Sequence, residues 1–238
     1  MTHMRFKARA HTHTCTHNTT HAHTHTDTHT HTHTHTNTLR FPQLDLVTIF
    51  GHSSGGQIVS RFAFFSKTAT PADGFPRIRF VPSNPSSFLY LDGRRFDPAT
   101  LTFKVPSADV VRACPGYDTY QFGLGQPLPS YADGRDVKSL VASFRARDVR
   151  YLIGNNDTCN ENLIPGCESH GLETTCGDMQ EGRFRRERGQ VFFAYLKTYF
   201  GEATHALRLV PDTGHDHTLI MLGSLPDLFA TPEVPMDR

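Results

Sequence analysis

The chain predicts an α/β fold, a parallel sheet with flanking helices, after a disordered low-complexity N-terminus. Three observations predict it. Short apolar runs rich in β-branched residues recur between residues 44 and 211, stretches with helical spacing alternate with them, and residues 11–38 are an almost unbroken His-Thr copolymer. Strands that alternate with helical patterns read as units of a parallel sheet. The 238 residues suffice for one large domain, and Lys+Arg 24 against Asp+Glu 23 leaves a net charge of +1. A near-neutral chain has no electrostatic footprint for nucleic acid or an anionic membrane surface. No run approaches the roughly 18 apolar residues that a spanning helix needs. The opening M-T-H-M-R-F-K-A-R-A is basic but lacks the apolar core of a secretory signal.

Between His11 and Thr38, ten of 28 residues are His and thirteen are Thr, so only His3, His52, His170, His205, His215 and His217 lie elsewhere. Three readings of this tract compete. Alternation places every imidazole on one side of an extended chain, where zinc, copper or nickel could bind loosely and without selectivity. Alternatively, the tract has almost no apolar surface to offset backbone ordering and forms a disordered polar tail. Finally, a repeat of alternating C and A bases is read as His-Thr in either of two frames. Asp27, Asn37 and Ala22 each differ from the copolymer by a single base, which fits a translated microsatellite. The organisation expected is a low-complexity tail over residues 1–40 and a folded part over residues 41–238.

The folded part opens with Leu44-Asp-Leu-Val-Thr-Ile-Phe50, a short apolar run bounded by glycine that reads as a buried strand. Residues 55–66 follow, with apolar side chains at Ile58, Val59, Phe62, Ala63 and Phe65 near helical spacing. Between the two lies Gly51-His52-Ser53-Ser54-Gly55, a G-x-S-x-G pentapeptide in strand-turn-helix context. Only Ser53 has glycines two residues before and after it. A turn this tight strains the serine backbone and lifts its hydroxyl clear of the sheet. The next N–H and the helix N-terminus then face any developing negative charge.

At this point the chain resembles the α/β-hydrolase superfamily. That resemblance implies a serine nucleophile followed in chain order by an acid and a histidine, each at the end of a later strand. Arg77–Ser83 reads as the second strand, Val137–Ala146 as a helix, and Val149–Gly154 as the third strand. The strand closes on Asn155-Asn156-Asp157-Thr158, which makes Asp157 the acid that the resemblance implies. Glu161 and Asp178 are weaker candidates, and an Asx-turn is the non-catalytic alternative for Asp157. Residues 183–200 form a long helical pattern with an apolar stripe at Val191, Phe192, Tyr195, Leu196 and Tyr199, and Gly201 is placed to end it. The last strand, Ala206–Pro211, precedes Asp212-Thr213-Gly214-His215-Asp216-His217. The family's Gly-His dipeptide after its last strand makes His215 the base, with His217 as the alternative.

Residues 84–135 are rich in aromatic, Gly and Pro residues and are expected to form a loop-rich cover. Cys159, Cys167 and Cys176 cluster after the acid, with Cys114 in the cover and Cys15 in the tract. Their spacings match no zinc motif, so a disulfide within residues 159–176 and three reduced thiols both stay open. Asn156-Asp157-Thr158 also satisfies the glycosylation sequon, and is read as chance because a glycan would obstruct the acid.

The resemblance implies hydrolysis of a small-molecule carboxylic ester or amide. Ser53 would be the nucleophile, His215 the base, Asp157 the orienting acid and the Ser54 amide an oxyanion donor. No metal or organic cofactor is expected, because acyl transfer through a covalent ester needs only these groups and water. It also implies that the matching residues are the C-terminal part of the α/β-hydrolase fold. Only Leu39–Gln43 separate the tract from the nucleophile strand. The first strand is therefore expected to be an exposed edge, and the second oxyanion donor, which the family takes from an earlier loop, is expected to be missing. The competing expectation is a truncated, catalytically silent fragment or gene-model artefact of such a hydrolase.

Overall fold

A computed structural model of the chain describes residues 44–67, 75–201 and 205–229. The His-Thr tract, Cys15 and residues 39–43 lie outside the described residues. In chain order the elements are β1 (Leu46–His52), α1 (Ser54–Phe65), β2 (Arg77–Ser83), β3 (Arg95–Asp97), β4 (Thr102–Lys104), α2 (Ala108–Ala113), α3 (Val137–Arg145), β5 (Asp148–Gly154), α4 (Cys176–Met179), α5 (Arg185–Phe200), β6 (His205–Val210), α6 (His217–Gly223) and α7 (Leu225–Phe229). Strands β1, β2, β5 and β6 form one sheet in that spatial order, with every pair parallel. The short β3–β4 hairpin pairs antiparallel and stands apart from it.

A parallel sheet needs cover on both faces, and the side-chain alternation shows where it comes from. Phe80, Val149, Tyr151 and Ile153 point to one face and pack with Val59, Phe64, Leu140, Phe144, Phe192 and Tyr195 from α1, α3 and α5. Their strand neighbours Val81 and Leu152 point to the other face, where Val210, Ile220 and Leu228 complete a smaller cluster with α6 and α7. Caps set several helix starts. Asp136 accepts from the Ser139 N–H at 2.9 Å to begin α3, and Asp216 accepts from Thr218 and Leu219 to begin α6. Gly201, with φ at 67°, ends α5 as its position predicts.

Two of the expected helical stripes differ from what forms. On α1, Val59, Ala63, Phe64 and Phe65 are buried, whereas Ile58 and Phe62 are 51% and 43% exposed. The Ser54, Ile58, Phe62 row, spaced by four, is thus left partly open, with Phe62 edge-on to Phe80 at 5.8 Å. On α5, Phe192, Tyr195 and Leu196 are buried as the stripe predicts, Tyr199 is partly exposed, and Arg185 and Arg188 are fully buried beside them. The apolar pattern gave no hint of those two arginines. Each finds backbone carbonyls and a carboxylate, which is what a buried guanidinium requires.

Residues 84–135 hold the β3–β4 hairpin, α2 and a turn of 3-10 helix at Ser130–Ala132. Phe88, Leu89, Tyr90 and Leu91 belong to the main core rather than to a pocket lining. Buried Arg61 ties α1 to this segment by donating to the Ser87 carbonyl, the Ser87 hydroxyl and the Gln121 carbonyl at 2.8–3.0 Å. Four cysteines form two disulfides, Cys159–Cys167 and Cys114–Cys176. The first closes the loop just past Asp157, and the second fastens residues 84–135 to α4.

β1 pairs with β2 alone among the described residues and is half-exposed along most of its length. Among the described residues it is therefore an edge strand. No helix among the described residues is long and apolar enough to cross a membrane.

Candidate active site

The C-terminal ends of parallel strands gather at one edge of an open sheet, where crevices for ligands form. Ser53 follows β1, Asp157 lies three residues past β5, and His215 lies five residues past β6. All three stand at that edge.

Ser53 has φ 57° and ψ −122°, a strained conformation for a residue with a side chain. Two contacts hold it there: its N–H donates to the Ser83 carbonyl at 2.9 Å, and its carbonyl accepts from Gln57 as α1 begins. The glycines share the steric work differently from the pentapeptide reading. A Cβ on Gly51 would meet the Gly55 carbonyl oxygen at 2.3 Å, so that glycine is required. Gly55 itself has open space at its Cβ position. Its neighbour Gly56 is the one pressed against β2, 2.4 Å from the Ser83 oxygen. The close approach thus needs Gly51 and Gly56, and G-x-S-x-G-G states the requirement better than the pentapeptide. Ser54 opens α1, so its N–H is one of the helix-terminal donors that have no partner within the helix.

Asp157 and His215 are joined directly: Asp157 Oδ2 lies 2.8 Å from His215 Nδ1, with both side chains at least nine-tenths buried. Their loops are zipped together by backbone. Asn155 N–H donates to Val210 at 2.9 Å and Asn156 N–H to Thr213 at 2.8 Å. Asn84, just past β2 with φ 41°, bridges both loops. Its Nδ2 donates to Gly214 at 3.0 Å and its Oδ1 accepts from Gly154 N–H at 2.8 Å. Gly154 is required for the same reason: a Cβ there would lie 2.3 Å from the Gly214 oxygen.

The weaker acid candidates have other partners. Glu161 accepts from the Ser169 N–H and hydroxyl at 2.8 and 2.7 Å. Asp178 completes the capping box of α4 with Thr175 and lies 3.6 Å from Arg188. His217, the alternative base, is the exposed first residue of α6, and its ring centroid is 6.0 Å from that of His52.

Two histidines flank His215. The His52 ring lies 4.5 Å from His215, and His170 stacks on it at 5.4 Å with 20° between planes. His52 Nδ1 lies 3.0 Å from the Ser83 hydroxyl. Burial, and then the charges of His215 and His217, lower its pKa to about 3, so His52 stays neutral beside the base. Sequence reasoning missed His52, His170, Asn84 and Arg185. His52 sat inside the quoted motif, while the others reach the site only through the fold. No group of three or more His, Cys, Asp or Glu residues among those described has the arrangement of a metal centre.

A cavity of about 540 Å³ runs along α1, from Ser54 at the elbow past Ile58, Phe62 and Phe65 to Tyr120 and Tyr131. It flanks the Ser53 turn rather than lying over His215.

No family model and no curated protein sequence matches the chain. Among solved structures, it is similar to poly(aspartic acid) hydrolase-1 from Sphingomonas sp. KT-1, at 21% identity and a TM-score of 0.51, covering 78% of this chain and 55% of that one. It is also similar to LpqC, a poly(3-hydroxybutyrate) depolymerase from Bordetella parapertussis, at 19% identity and a TM-score of 0.46, covering 76% of this chain and 48% of that one. The chain spans about half the length of the structures it matches. With its all-parallel four-stranded sheet and flanking helices, the described part of the chain has an α/β-hydrolase-type fold.

Proposed function

We propose that this chain carries the catalytic residues of a serine hydrolase that cleaves carboxylic ester or amide bonds through an acyl-enzyme. The observation that carries the reading is the buried Asp157–His215 hydrogen bond at the strand edge where Ser53 adopts its strained turn. Ser53 Oγ attacks the carbonyl while His215 takes its proton. Asp157 holds Nδ1 as the protonated nitrogen, leaving Nε2 to act as base. The Ser54 N–H at the start of α1 faces the developing oxyanion. Among the described residues no hydrogen bond joins Ser53 to His215; in such sites this contact often forms only with substrate bound. The aromatic cavity beginning at Ser54 suits an apolar portion of the substrate. The fold similarity to a poly(aspartic acid) hydrolase supports hydrolysis as the reaction class.

A second reading, a folded but catalytically silent chain, draws support from β1 pairing on one side alone and from the single oxyanion donor, Ser54 N–H, identified among the described residues. Loss of one such donor costs on the order of a hundredfold to a thousandfold in turnover. Hydrolysis of a chromogenic short-chain ester separates the two. The hydrolase reading expects turnover by the full chain and a loss of about 10⁴-fold or more in Ser53→Ala. Folded, soluble protein without turnover is the outcome of the silent reading.

A further inference from the structure

Arg185 is fully buried and lies against the acid of the proposed site. Asp157 divides its two oxygens: Oδ2 meets His215 at 2.8 Å, and Oδ1 lies 3.7 Å from Arg185 Nη1. The same guanidinium donates to the Ser169 carbonyl at 2.7 Å, the His170 carbonyl at 3.1 Å and the Ser86 hydroxyl at 3.3 Å. One side chain thus reaches the acid, the exit of β2 and the turn that stacks His170 on His215. His170 has φ 51°, a conformation that a non-glycine residue holds only when its surroundings fix it. Arg188, one turn further along α5, is the internal contrast. It is equally buried, but it answers to Gly182, Ser86, Glu173 and Asp178 and makes no contact with Asp157.

We propose that Arg185 is a positioning residue of the site: it clamps Asp157 and the His170 turn around His215. The inference rests on the serine-hydrolase reading. Ser86, the Ser169–His170 turn and Asp157 come from three separate stretches of the chain, and one buried guanidinium on α5 ties them together.

The test is kcat and KM for ester hydrolysis by the full chain and its Arg185→Gln, Arg185→Lys and Arg188→Lys variants. Arg185→Gln is expected to lower kcat about tenfold or more, with KM little changed. Arg185→Lys recovers part of that kcat, and Arg188→Lys leaves both constants nearly unchanged. A folded Arg185→Gln enzyme with the wild-type kcat overturns the proposal, as does an equal loss of kcat in Arg188→Lys. Where Arg185→Gln does not fold, Ser86→Ala removes one Arg185 hydrogen bond without touching Asp157. Its kcat is expected to fall several-fold at constant KM, and unchanged kcat overturns the clamp. Asp157→Asn and Ser53→Ala distinguish the two levels of failure. If they retain turnover, the hydrolase reading fails and this proposal falls with it; if they lose turnover while Arg185→Gln keeps the wild-type kcat, only this proposal fails.

Discussion

The two sides of the site are held in different ways. On the β5–β6 side, the Asp157 and His215 loops are hydrogen-bonded backbone to backbone, bridged by Asn84, backed by buried Arg185 and flanked by Cys159–Cys167. On the β1–α1 side, the Ser53 turn is fixed by Gly51, Gly56 and a hydrogen bond to Ser83, but among the described residues its strand pairs on one side alone and the Ser54, Ile58, Phe62 row borders an open cavity. The lesson is that the Asp157–His215 geometry is secured on every side by contacts within the described residues, whereas the Ser53 element is secured chiefly at its turn.

That contrast can be broken from the secured side first. Replacing Cys114 and Cys176 by serine removes a cross-link spanning 62 residues and is expected to cost about 4 kcal/mol by the loop-entropy relation. Denaturant unfolding under oxidising conditions reads it, and a loss under about 1 kcal/mol would show that residues 84–135 are held by packing alone. Next in size, Gly154→Ala places a methyl group 2.3 Å from the Gly214 oxygen. It is expected to destabilise by about 1–3 kcal/mol and to impair turnover further by displacing the His215 loop. Equal stability and turnover would mean the two loops can part without consequence. Smallest are Ile58→Asp and Phe62→Glu on the open flank. Both side chains are substantially exposed and line the cavity beside Ser54, so stability should change by only about 0.5 kcal/mol while turnover of apolar esters falls. A loss of several kcal/mol in either variant would mean that this row is covered in solution.

The sheet was largely legible because short runs rich in β-branched and apolar residues, bounded by Gly or Pro, mark its strands. Arg77–Ser83 matches β2, and the other three main strands fall within two residues of their expected bounds. The order of a G-x-S-x-G turn, an acid past one strand and a Gly-His past the last placed Ser53, Asp157 and His215 at one edge before any contact was known. What stayed hidden has physical reasons. Arg185 and Arg188 interrupt an apolar helix pattern, and burial of a guanidinium depends on carbonyls from distant loops. Disulfide pairing depends on which loops meet, which spacing does not encode. The role of Gly56 emerged only once β2 was seen to pass against the start of α1. The three-residue strands of the hairpin are too short for any period to register.

The central claim is that Ser53 is a nucleophile activated by the His215–Asp157 pair. The most direct measurement is site-mapping of the covalent adduct formed with a fluorophosphonate probe, on the full chain and on its Ser53→Ala and His215→Ala variants. The account predicts a single adduct on the peptide containing Ser53, abolished in Ser53→Ala and strongly slowed in His215→Ala. Labelling that persists in Ser53→Ala, or soluble folded protein that takes no label at all, would contradict it.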